Sequence, residues 1–301
     1  MKILISGSHG LLGSVLIPFL KNAGHQVQPL IRKRGQGVAW NPDAGYIERF
    51  ALEGFDAVIH LAAENIGSGI WTKKKKEKIQ SSRIKGTKLL AETISSLSKP
   101  PNVLISASAI GYYGDRGTEQ LAESSSAGNS FLARVCQEWE SATLPATNAG
   151  IRVVHLRSGL ILSLKGGILP RFILATKMVM GACLGSGKQY QPWIAIDDVL
   201  KAIEYILIHP ELTGPVNLVA PQFVTNYEFT HILGHVLKRP ILFSIPAFIL
   251  KTILGDMARE LLLSSALVQP KKLYTSGFRF QYPQVEAALE SILAKKEFSG
   301  T

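Results

Sequence analysis

The residues whose type and spacing most plainly imply chemistry are three glycines near the start of the chain. They stand in Ser6-Gly7-Ser8-His9-Gly10-Leu11-Leu12-Gly13, after the apolar run Ile3-Leu4-Ile5 and before Val15-Leu16-Ile17. This order reads as a buried strand, a glycine-rich turn and the first turns of a helix. In such a G-x-x-G-x-x-G turn one glycine lets the chain leave the strand sharply. A second lets backbone N–H groups approach a pyrophosphate, and a third lets helix and strand pack closely. The start of the helix adds free N–H groups and the positive end of its dipole. The pattern predicts a dinucleotide site. The same spacing would also serve a tight turn with no ligand.

The next strand, His25 to Ile31 after a stop at Gly24, decides which dinucleotide. An acidic residue at its end would hold the ribose 2′-hydroxyl of NAD. No Asp or Glu precedes Asp43, and Arg32-Lys33-Arg34 stands at that place. A guanidinium pairs with a 2′-phosphate where a carboxylate would repel it. The expected cofactor is therefore NADP, with Arg32 at the 2′-phosphate; a solvated basic loop is the alternative. The cofactor set comprises Gly7, Ser8, His9, Gly10, Leu11, Leu12 and Gly13, then Arg32. To these are added Leu61, Ala62 and Ala63 at the end of the apolar strand Asp56–Ala63, together with Arg83 and Ser106. His60 within that strand is expected to be a packed, hydrogen-bonded core residue.

The elements that position these groups follow from pattern. A long helix, about Lys73 to Leu97, carries the stripe Ile79, Arg83, Thr87, Leu90, Ile94, Leu97 at helical spacing. Arg83 on that face implies either an exposed end or a polar cavity such as the cofactor cleft. Val103 to Ser108 is a strand, Ser130 to Ala142 a helix, and Ile151 to Leu156 a strand. Strands and helices alternate, which calls for an α/β fold with a Rossmann-type, doubly wound parallel sheet. Beyond Arg157 the pattern loosens. Trp193 to Val199 reads as a strand running into a helix capped by Asp197 or Asp198, and Pro215 to Val219 as a further strand. Thr225 to Leu293 reads as mostly helical. We expect an NADP-binding domain over 1–220, with a substrate-side insertion at about 160–192. A smaller, mostly helical C-terminal domain is expected over 221–301.

Composition sets bounds. The 301 residues are 46% hydrophobic and 18% charged, as in a globular protein. No apolar run reaches the ~18 residues needed to span a bilayer. Cys136 and Cys183 are the only cysteines. They form neither a disulfide framework nor a metal-ligand spacing, and a reducing cytoplasm is expected. The net charge of +11 would suit an anionic ligand. The basic residues gather in no aromatic-interleaved patch, so neither nucleic acid nor a membrane is expected as partner. Lys73 to Lys78 reads as the solvated start of a helix.

Several segments together resemble an extended short-chain dehydrogenase/reductase. They are the Gly7/Gly10/Gly13 turn, the Asp56–Ala63 strand, Ser108 with Tyr113-Gly114, and Trp193–Val199. The chain is most similar to the atypical branch of epimerase-family NAD(P)-binding proteins with a C-terminal domain of unknown function. That likeness is carried by Ser106 to Gly114, Trp139-Glu140, Gly185 to Gln189, Gly255 to Ala258 and Pro270 to Leu273. The resemblance implies a Rossmann-type fold and NADP(H) binding, without naming a substrate.

One departure stands out. The superfamily uses a Tyr-x-x-x-Lys pair, in which the phenol exchanges a proton with the substrate oxygen and the lysine lowers the phenol pKa. No tyrosine here has a lysine four residues on, and Phe131 to Cys136 offers no register for the pair. Ser108, with Tyr112 or Tyr113, is the candidate acid/base group; strand-end bonding and an aromatic wall are the alternatives. Glu140, Arg171, Lys188, Gln189 and Trp193 are candidate contacts for a small-molecule substrate; Arg171, Lys188 and Gln189 would suit an anionic one, with surface exposure as the alternative. Glu140 is either a cleft carboxylate or one end of a structural salt bridge. Two functions are carried forward: an NADP-dependent oxidoreductase or nucleotide-sugar epimerase with a rearranged acid/base group, and a non-catalytic module that senses or holds NADP(H).

Overall fold

The computed structural model describes residues 1–32, 37–178 and 181–298. Strand β1 (Lys2–Ser6) leads through the glycine turn into helix α1 (Leu11–Asn22), then β2 (Gln26–Ile31), β3 (Val38–Asn41) and β4 (Tyr46–Ile47). The chain returns through β5 (Ala57–His60), α2 (Lys73–Ser95), β6 (Val103–Ala109), β7 (Gln120–Leu121), α3 (Phe131–Ser141), α4 (Leu144–Asn148) and β8 (Arg152–Ser158). There follow β9 (Leu160–Leu162), α5 (Leu169–Lys177), β10 (Ala182–Leu184), β11 (Trp193–Ala195), α6 (Ile196–Ile208) and β12 (Gly214–Leu218). The remainder is α7 (Asn226–Val236), β13 (Phe243–Ile245), α8 (Ala247–Leu254), a π-helical turn Ala258–Leu262, β14 (Leu267–Val268), α9 (Lys271–Thr275) and α10 (Val285–Phe298).

Eight strands form one sheet in the order β12-β8-β6-β5-β1-β2-β3-β4. All neighbours run parallel except β3 and β4. The chain builds outward from β1 to one edge and then crosses back to β5, so the order reverses between β1 and β5. A doubly wound sheet opens its ligand crevice at such a point, beyond the carboxyl ends of the strands.

The central strands β1, β5 and β6 are apolar on both faces because helices cover both. Ile3, Ile5, Ile59 and Ile105 pack with Leu16 and Leu20 of α1 and Val199, Ile203 and Ile206 of α6. Leu4, Val58 and Leu104 pack with Leu90, Ala91 and Ile94 of α2. The stripe read on α2 is buried throughout, Arg83 and Thr87 included. Ser130 caps α3 as its position suggests, its Oγ accepting from the N–H of Ala133.

The cap expected at Asp197 or Asp198 is corrected. Ala195 is the cap residue of α6, and Asp198 lies inside the helix, buried. Its carboxylate accepts from the N–H groups of Gln281 and Tyr282, tying the C-terminal segment to the sheet domain. The C-terminal part is also less purely helical than expected. Its β13 pairs with β10, and its β14 with β7. The lysine run at the start of α2 is not simply solvated. Lys75 bonds Glu64 at 2.7 Å, and Lys76 pairs with Asp256 of the C-terminal segment.

Candidate functional site

Two cavities open at the carboxyl edge of the sheet. The larger, about 1200 Å³, runs from the glycine turn along the ends of β1, β2 and β5. Gly7, Ser8, His9 and Gly10 line it, with Arg32 at the end of β2 and Leu61, Ala62 and Ala63 after β5. Lys33 and Arg34 lie outside the described residues. Two carboxylates are present on this wall, neither at the end of β2. Asp43 stands in the turn after β3, and Glu64 is bonded by Lys75 and Lys78.

At two positions of the turn, Gly7 and Gly13, only glycine fits. A Cβ on Gly7, where φ is +75°, would lie 2.8 Å from the backbone nitrogen of Ala62. One on Gly13 would lie 2.2 Å from the Gly7 carbonyl oxygen. Gly10 caps α1 without a side-chain hydrogen bond, and no acidic residue stands in its first turn. The first N–H groups of α1 therefore lack both a side-chain cap and a local negative charge, which is the donor set an anion needs.

Behind the turn, Ser6 and His60 join the two strands of the crevice. Ser6 Oγ lies 2.7 Å from His60 Nδ1 and accepts from the N–H groups of Leu61 and Ala62 at 3.1 and 3.3 Å. With its oxygen so engaged, the serine hydroxyl donates to Nδ1, which leaves the imidazole proton on Nε2. That nitrogen has no hydrogen-bond partner among the described residues; the ring meets Trp40 edge-on, with centroids 5.8 Å apart. Burial pushes the His60 pKa down to about 4, so the ring is neutral around pH 7. His60 is the core histidine expected, and its bond to Ser6 sets the loop that edges the larger cavity.

The second cavity, about 480 Å³, lies between α3, the loop after β6 and the C-terminal segment. Its wall includes Leu132, Val135, Cys136 and Trp139 of α3, Tyr190 to Pro192, and Arg259 to Leu261. Arg83 lines this cavity and not the larger one. Leu132 and Cys136, one turn apart on α3, occupy the face where a Tyr-x-x-x-Lys pair would stand. Burial pushes the Cys136 thiol up to about 12. The phenol on this wall is that of Tyr190, which sequence reading passed over.

The structure corrects the candidate acid/base group. Tyr113 is fully buried. Its hydroxyl donates to Asn217 Oδ1 at 2.7 Å and accepts from Arg157 Nη1 at 3.0 Å. Burial raises its pKa. Ser108 Oγ donates to Glu140 at 2.7 Å, and Arg157 grips both Glu140 oxygens at 2.8 Å. Burial disfavours the Glu140 charge, yet the bonds from Arg157 hold its carboxyl below the usual range. Of the two roles left open for Glu140, the salt bridge is the one realised. The Arg157 guanidinium lies 3.4 Å from the centre of the Tyr112 ring. Ser108 and Tyr113 thus belong to a buried brace joining β6, β8, β12 and α3, with the half-buried Tyr112 stacked on its Arg157, and none of the three lines either cavity.

The remaining candidates are dispersed. Trp193 is fully buried and donates to the Gln222 carbonyl. Gln189 is spent on the carbonyls of Leu184 and Leu262. Arg171 is exposed and bonds the Gly67 carbonyl, and Lys188 is exposed. None of the four lines either cavity, nor do Leu11, Leu12, Gly13 or Ser106. Gly13 lies buried beneath the turn, and Ser106 is buried in β6.

Comparison with known proteins bears on this architecture. Residues 3–219 match the model of the NAD dependent epimerase/dehydratase family. The chain belongs to that family. Residues 245–292 match a domain of unknown function, DUF1731. An epimerase family protein of Mycobacterium bovis is 38% identical over 290 residues, covering 95% of this chain and 96% of that protein. The structure of human epimerase family protein SDR39U1, isoform 2, with NADPH superposes with a TM-score of 0.91 at 29% identity. The match covers 98% of this chain and 99% of the human one. A nucleoside-diphosphate sugar epimerase from Corynebacterium glutamicum is 34% identical with a TM-score of 0.78, covering all of this chain and 62% of the other. No helix among the described residues is long and apolar enough to cross a membrane.

Proposed function

We propose that this chain binds NADP(H) in the larger cavity and a small-molecule substrate in the second. The observation that carries the cofactor assignment is the glycine cradle, which leaves the first amides of α1 without a side-chain cap. Those amides would hold the diphosphate, and Leu61 to Ala63 would edge the groove. Arg32 at the end of β2 would receive the 2′-phosphate. The related human protein crystallised with NADPH supports the same choice. When bound, the nicotinamide supplies or accepts a hydride. The chain's own part is to bind, orient and exclude water. The groups on the second cavity's wall that carry an exchangeable proton on a neutral side chain include Tyr190 and the Cys136 thiol.

The test of the cofactor assignment is Arg32→Ala. A charge-assisted pair lost to water is about 1.5–3 kcal/mol, or roughly 10- to 150-fold in affinity. Calorimetry should show that loss for NADPH and little change for NADH; equal losses refute the 2′-phosphate role. A second reading, a module that holds NADP(H) without turnover, draws support from Leu132 and Cys136 standing on α3 where the phenol and ammonium would be. Tyr190→Phe separates the two. An oxidoreductase loses nicotinamide oxidation with carbonyl or nucleotide-sugar substrates. A holding module shows no oxidation in either form.

A further inference from the structure

Six large apolar side chains stand in water on one face of the molecule. Leu174 and Met178 belong to α5 and its cap, Leu242 and Phe243 to the start of β13, and Phe248 and Ile253 to α8; each is 57–70% exposed. The three elements share a floor. Phe172 of α5, Ile245 of β13 and Leu254 of α8 pack against one buried cluster that holds Leu184 and Leu250. A Cβ on Gly181 would meet both Ile241, two residues before β13, and Thr176 of α5, so the ends of these segments touch. None of the six lines either cavity. An apolar patch left projecting into water marks a contact surface.

The charge on this face has one sign. Lys177, Lys238, Arg239 and Lys251 are exposed and enter no ion pair among the described residues. No Asp or Glu stands between Glu140 and Asp197, or between Glu228 and Asp256. The acids that bound the second stretch are engaged, Glu228 in the cap of α7 and Asp256 with Lys76 and Arg259. Sequence alone implies no membrane partner, because the basic residues lie apart along the chain; the fold sets them on one face with the apolar six.

We infer that this face docks on a bilayer of anionic phospholipid. The apolar side chains enter the interfacial region, and the four cations meet headgroup phosphates. A neutral bilayer would take the apolar side chains and leave the cations unanswered; a soluble polyanion would do the reverse. A second copy of the chain would set like charge against like. An acidic helix would need a groove to seat it, whereas these side chains project. The inference is independent of the cofactor and substrate readings, because none of these residues lines either cavity.

The experiment sediments the full chain with phosphatidylcholine vesicles, with and without phosphatidylglycerol. Binding should require phosphatidylglycerol and weaken as salt rises. Each cation near such a surface contributes about fivefold, so Lys177→Gln with Arg239→Gln should weaken binding roughly 25-fold. Lys73→Gln with Lys74→Gln, exposed at the start of α2, removes the same charge elsewhere and should change binding by less than about twofold. Phe248→Ser should weaken it at least about tenfold. Every side chain replaced is exposed, so the fold is not at stake. Phe248→Trp should bind as the parent does and add emission that shifts to the blue with phosphatidylglycerol vesicles. Failure to sediment with these vesicles overturns the inference. So does an equal loss from the two double variants, which marks attraction by net charge alone, or binding that survives Phe248→Ser. Emission from Phe248→Trp that stays at its aqueous wavelength overturns it too. Self-association abolished by Phe248→Ser assigns the face to a second copy instead, and binding of a synthetic Leu/Glu helix without binding of vesicles assigns it to a protein.

Discussion

Replacing the turn glycines one at a time by alanine separates a nucleotide cradle from an ordinary strand-to-helix turn, because only the cradle ties NADPH affinity to the fit at Gly13 and Gly10. Gly13 lies inside α1, where alanine in place of glycine ordinarily adds up to about 1 kcal/mol of stability. Here the new Cβ would lie 2.2 Å from the Gly7 carbonyl oxygen and 2.9 Å from Ser8 Cα. Ordinary contact begins near 3.4 Å, so the turn must retreat by about 1.2 Å, and the opposing atoms are backbone. Overpacking of this kind costs about 1–3 kcal/mol. The retreat moves the turn that must meet the diphosphate, so NADPH affinity should fall at least tenfold. Gly10 has an ordinary backbone conformation and its Cβ would sit 3.2 Å from the same oxygen. Gly10→Ala should therefore leave stability within about 0.5 kcal/mol, as expected away from strained sites, while weakening NADPH. Gly24 is the control: its φ is +85° with nothing within 4 Å. Gly24→Ala should cost about 1–2 kcal/mol of backbone strain and leave NADPH binding unchanged. The assays are urea denaturation and calorimetry. A Gly13→Ala protein that gains stability and binds NADPH within twofold of the parent refutes the cradle.

Arg157→Met should destabilise the fold by about 3 kcal/mol, because it strands the largely buried Glu140 carboxylate, 11% exposed. Urea denaturation reads the loss; a change below about 1 kcal/mol would show that the brace carries no weight. The His60 pKa is about 4 in the fold and 6.5 in the open chain. The unfolded chain therefore binds the extra proton first as pH falls. Stability from this group is intact above pH 6.5 and drains away between 6.5 and about 4. The full loss is about 3 kcal/mol. Unfolding free energies at pH 7.5, 6 and 5 should fall more steeply for the parent than for His60→Leu, and parallel slopes would refute the neutral buried imidazole.

Much of the fold was legible because its signals are local. The glycine turn, the apolar strands and the α2 stripe each repeat within a few residues, and Ser130 sits one residue before its helix. What misled or stayed silent depends on distance. Asp198 resembles a helix cap until Gln281 and Tyr282, more than eighty positions away, arrive to use its carboxylate. Ser108 and Tyr113 stand near the right end of the sheet, but Arg157, invisible as their partner in sequence, pulls them into a sealed network. Trp193 and Gln189 sit in a glycine-rich stretch that suggests a binding loop, while packing buries both. Arg83 was recognisable as a charge on an inward face. Which cavity it faces depends on Trp139, and nothing local fixes that.

The same distance dependence explains why the C-terminal segment cannot be treated as an accessory. The N-terminus of α3 needs acceptors for its first amides. Ser130 supplies one, and the Glu260 carboxylate, 130 residues later, supplies the others. Asp256, four residues before Glu260, pairs with Lys76 at the start of α2, and Ser265 bonds both Asp115 and Gly117. The C-terminal turn therefore holds both helices that wall the second cavity as well as the loop after β6. A charge change at Glu260 removes acceptors from amides on the cavity wall itself. The geometry around Arg83 is thus set by two parts of the chain at once, with the sheet fixing α2 and the C-terminal segment fixing what stands opposite it.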